Sequence, residues 1–101
     1  MSDENQIEIP PSFLALFIEP GRQKPSASRD EVAARYELCE DMANMLIGTA
    51  CNMFFSLGIT ERCVLVRCHD GLVCENPVVT RQEADWVIRR MAELLGWQAY
   101  G

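Results

Sequence analysis

Cys63, Cys68, His69 and Cys74 are the residues in this chain whose types best suit metal chemistry. Zinc takes four thiolate or imidazole ligands in a tetrahedron, with cysteines usually spaced Cys-x2-4-Cys. Here the arrangement is Cys63-x4-Cys68-His69-x4-Cys74. On a helix, Cys63 and Cys68 lie about 140° apart round the axis and diverge. The adjacent pair Cys68–His69 diverges as well. The expectation is buried or incidental thiols and no metal site. The same geometry disfavours a redox dithiol, and the chain has no Cys-x-x-Cys.

Cys39, Met42 and Met45 are soft donors at helical spacing, a set that suits Cu(I). Methionines so placed are more simply adaptable core filler or a contact surface. His69 is the sole histidine, and no glycine-rich nucleophile turn surrounds any cysteine or serine. Near a helix C-terminus its cation is favoured by the dipole, which is explanation enough for its place. Glu37, Glu40 and Asp41 form an acidic cluster without the Glu-x-x-His of a carboxylate metal bundle, and read as a solvated face. Neither phosphate-cradling pattern, Gly-x4-Gly-Lys-Ser/Thr nor Gly-x-Gly-x-x-Gly, is present. That argues against an ordinary nucleotide hydrolase or dinucleotide enzyme. No catalytic, cofactor-binding or metal-ligating residue is assigned, and no cofactor is expected.

The elements that carry these residues are easier to read. Val32, Tyr36, Cys39, Ala43, Leu46, Ala50, Met53 and Leu57 follow steps of four and three, a heptad stripe along one uninterrupted helix pattern from Arg29 to Leu57. Ser28-Arg-Asp-Glu31 opens it as a capping box, and Gly58 stops it. Thr60 caps a further helix over 61–70 that stops at Gly71. Thr80-Arg-Gln-Glu83 is a second capping box for a helix over 81–95, which buries Ala84, Val87, Ile88, Met91, Leu94 and Leu95 and stops at Gly96. Three helices thus end in glycine followed by an apolar residue. Pro10–Pro11 opens a short helix over 11–18, ended by Pro20–Gly21, with residues 1–9 a loose leader. A strand is the alternative for that short apolar run. Elsewhere no segment alternates with period two. Caps, periodicity and stops agree on an all-α fold: one helical domain over 1–101, a bundle of three main helices plus a short N-terminal one.

The chain has 101 residues, 49% of them apolar, and a formal charge of −6. That size supports one core without staples. The acidic balance argues against a nucleic-acid partner. The turn over 57–60 mimics a helix-turn-helix, yet Cys63–Val66 is apolar on every side, so the third helix is expected to be buried rather than to read a groove. The N-terminus lacks a basic region before an apolar run, and Phe13–Ile18 is far too short to span a bilayer. An odd count of five cysteines reads as reduced thiols. The expected location is the cytoplasm, with no membrane partner.

The long helix carries more apolar surface than its stripe needs. Leu38, Met42, Met45, Ile47, Phe54 and Phe55 flank it. At about 1.5 Å per residue the helix spans roughly 43 Å. A compact domain of this size spans only about 33 Å. Either Gly48–Thr49 kinks the helix, or the overhang packs on a second subunit.

Three phrases, Pro11-Ser-Phe-Leu-Ala-Leu-Phe-Ile-Glu-Pro-Gly-Arg22, Ala34-Arg-Tyr-Glu-Leu-Cys-Glu-Asp-Met-Ala43 and Ala84-Asp-Trp-Val-Ile-Arg-Arg-Met-Ala-Glu-Leu-Leu-Gly-Trp97, cover much of the chain. In them it resembles a small family of proteobacterial proteins often labelled "ATPase with chaperone activity". The resemblance implies a bacterial cytosolic protein. It brings no functional residues with it, since the phrases are structural and mark no active site.

The reading that follows is a non-enzymatic protein–protein interaction module that self-associates, as a homodimer, through its long amphipathic helix or meets a partner protein there. Candidate contact residues are Phe13, Leu16, Phe17, Met42, Met45 and Phe55. The alternatives are a small ligand-carrying or enzymatic domain with an interhelical pocket, and a transcription regulator in which Arg22, Lys24, Arg29 and Arg35 join one positive face.

Overall fold

A computed structural model describes residues 8–22, 24–74 and 77–97. The fold is all-α, 72% helix, with no strand among the described residues. The helices are α1 (Pro11–Leu14), a single 3-10 turn (Ala15–Phe17), α2 (Arg29–Leu57), α3 (Glu61–Leu72) and α4 (Arg81–Leu95). Contacts gather into two compact units, Met1–Glu37 and Leu38–Gly101, whose boundary falls inside α2. The leader expected over 1–9 lies outside the described residues except for Glu8 and Ile9, which have no regular structure.

In the first unit the short apolar run is helical rather than a strand. Proline at the first helical position costs nothing, because that N–H has no intrahelical partner. The helix tightens into the 3-10 turn and ends at Ile18, whose backbone is extended (φ −110°, ψ 116°). Phe13 is fully buried. Its ring lies 5.5 Å from that of Phe17 and 5.6 Å, edge-on, from that of Tyr36. The chain then reverses at Glu19-Pro20-Gly21-Arg22, where the Arg22 N–H donates to Glu19 O at 3.0 Å. Gly21 has φ +82°, the value a type II turn demands at its third position.

Both capping boxes form. The Ser28 N–H donates to Glu31 Oε1 (3.0 Å), and the Glu31 N–H donates to Ser28 Oγ (3.2 Å). Thr80 and Glu83 make the same reciprocal pair at 2.9 and 3.0 Å. Glu83 is buried in doing so, a carboxylate whose surroundings are fixed by its own cap. Thr60 caps α3, accepting from the Cys63 N–H at 3.1 Å.

The stops differ in one place from the sequence reading. Gly58 and Gly96 have φ +67° and +73°, the left-handed stop expected of them. Gly71 is not among the positive-φ glycines, and α3 runs through it to Leu72. The Val73 N–H still reaches back to His69 O at 3.1 Å, so the hydrogen-bond ladder outlasts the glycine. At the end of α4 the Trp97 N–H donates to Ala92 O (2.9 Å), closing a Schellman motif, and the Trp97 ring packs 5.4 Å from Phe54.

The core of the second unit is built by Val64, Leu65 and Cys68 of α3 and Ala84, Trp86, Val87, Ile88, Met91 and Ala92 of α4. Two expectations are corrected here. α3 is not buried on every side: Cys63 is exposed and Val66 is 38% exposed, because residues 64, 65 and 68 share one face and 63 and 66 turn away from it. Leu94 is exposed rather than in the core.

Candidate functional site

α2 is one α-helix through Gly48–Thr49. Its heptad stripe is the covered side: Val32, Cys39, Ala43 and Ala50 are buried, and Tyr36, Leu46 and Met53 are half-buried. Leu57, at the helix end, is 56% exposed. The exposed apolar residues lie elsewhere. Met45 is 72% and Phe55 80% exposed. With Gly48 and Asn52, also exposed, they make a second set whose mean direction is roughly 170° from the covered stripe at 100° per residue. From Ala43 to Thr60 no residue is charged. A solvated helix face normally carries charged side chains, so this face stands apart from the rest of an acidic chain. Gly48, Thr49, Cys51, Asn52 and Phe55 border a shallow open groove along it.

The six candidate contact residues divide between the two units. Met45 and Phe55 share the exposed face of α2. Met42 is half-buried on its flank. Phe13 is buried in the first unit, and Leu16 and Phe17 are half-buried there.

The polar residues pair with one another. Arg90 reaches from α4 to α2 and grips Glu40 with a fork: Nε donates to Oε1 at 2.9 Å and the Nη2 amino group to Oε2 at 3.0 Å. A third contact, Nη1 to Glu93 Oε1 at 3.1 Å, completes its shell. Hydrogen bonding to Glu40 leads the causes that raise the Arg90 pKa above its usual value. Glu40 is thus part of a helix-to-helix bond, which corrects the reading of Glu37, Glu40 and Asp41 as one solvated cluster. His69 also has a partner beyond the dipole: its Nε2 lies 2.6 Å from Asp85 Oδ1, joining α3 to α4.

The sulfur residues scatter. Cys39 and Cys68 are buried, Cys51 half-buried, and Cys63 and Cys74 exposed. Burial pushes the Cys68 thiol above its ordinary pKa. The Cys74 Sγ donates to Gly71 O at 3.0 Å. Among the described residues no three His, Cys, Asp or Glu side chains gather in a way that holds a metal ion. No helix among them is long and apolar enough to cross a membrane.

One more recess lies in the first unit, about 390 Å³, lined by Ile9, Leu14, Ala27 and Val32 with Glu8 and Arg29 at its polar side. It holds no nucleophile. Arg22, from the cationic set, pairs with Glu19 at 3.6 Å on the open surface.

Compared with known proteins, the chain matches no family model, no curated protein and no solved structure.

Proposed function

We propose that this chain is a non-enzymatic helical interaction module of the bacterial cytosol that associates with a second copy of itself through α2. One observation carries the reading: Met45 and Phe55 stand 72% and 80% exposed on a length of helix with no charged residue. Large exposed apolar side chains on a neutral face are what contact surfaces are made of. The polar residues add support, since Glu40, Arg90, His69 and Asp85 are engaged in tying helices together rather than converging on a pocket.

Native mass spectrometry of the protein, purified without added ligand or chelator, tests it. A bare dimer is the expected result. A monomer at every concentration refutes self-association. A monomer carrying a stoichiometric small-molecule adduct transfers the assignment to a ligand carrier, for which the recess beside Ile9, Leu14 and Val32 is the place to look.

A further inference from the structure

We draw no further inference here: the strongest candidate, the recess of about 390 Å³ in the first unit between α1 and the start of α2, bordered by Ile9, Leu14 and Val32, carries nothing, because its two charged residues, Glu8 and Arg29, are both exposed and nothing in the structure shows what fills it.

Discussion

Arg90 spends its guanidinium on two carboxylates, and they are not equivalent. Glu40 is 23% exposed and held by a fork from another helix, whereas Glu93 is 67% exposed and one turn away on the same helix. Exposed pairs at that spacing contribute only about 0.3–0.5 kcal/mol. A part-buried charged hydrogen bond contributes about 1.5–3 kcal/mol. Glu40→Gln is therefore expected to lower unfolding stability by about 1–2 kcal/mol and Glu93→Gln by under about 0.5 kcal/mol, read as urea midpoints. The thiols give a second expectation at this scale. Maleimide labelling of the native protein, followed by mass spectrometry, should reach Cys63 and Cys74 first and Cys39 and Cys68 last. For Cys68 burial acts twice, by blocking access and by raising its pKa, which lowers its thiolate fraction at neutral pH. Unfolding in urea should bring all five to a common rate. The sequence reads Cys63, Cys68 and Cys74 alike as buried or incidental thiols, of which only Cys68 is buried, and it shows neither of the two helix-to-helix pairs. Glu40 and Arg90 are 50 positions apart, and His69 and Asp85 are 16 apart. No local rule brings such residues together; only the packed helices do.

Helix ends were the most legible elements because capping is local chemistry. Ser28 with Glu31 and Thr80 with Glu83 need only their spacing and an extended cap residue, and both boxes form. Gly71 departs from the stop its sequence suggests for a related reason. Glycine permits a left-handed stop but does not impose one. At Gly96 the stop is made by tertiary packing as well, since Trp97 returns onto Phe54. The two glycines should thus respond oppositely to alanine. Gly96→Ala forces a side chain into φ +73° and is expected to cost about 1–2 kcal/mol. Gly71→Ala meets nothing within 4 Å in helical backbone and is expected to gain up to about 1 kcal/mol. Thermal unfolding of the two variants beside the parent checks both signs. Destabilisation by Gly71→Ala would mean that residue 71 does not hold a helical backbone in solution. The long helix shows the other limit of pattern reading. Its heptad stripe was visible, and it is the covered side. Periodicity identifies a face that is apolar, not which of two faces meets the rest of the chain. Met45 and Phe55, which the sequence places beside the stripe and among the candidate contact residues, lie across the helix from it.

At the scale of the whole molecule, the acidic balance and the neutral face of α2 act against each other. The charge of −6 opposes any encounter between two copies, and the contact proposed over Ala43–Thr60 would bring no charge of its own. Their different ranges make the balance measurable. Burial of Met45 and Phe55 is short-ranged, and salt at moderate concentration leaves it intact. Repulsion between acidic surfaces is long-ranged, and its screening length falls from about 30 Å at 0.01 M salt to about 10 Å at 0.1 M. Association through α2 should therefore tighten as salt rises over that range, with a dissociation constant several-fold lower at the upper end by sedimentation equilibrium. An interface held by opposite charges would weaken instead, because the same screening would remove its attraction. Phe55→Glu adds a negative charge to this face and should both weaken association and steepen its salt dependence. Phe55→Ser removes the apolar contact alone and should weaken association without changing the slope. If the two variants prove indistinguishable in slope, charge around Phe55 does not govern the contact, and the encounter uses a surface other than the neutral face of α2.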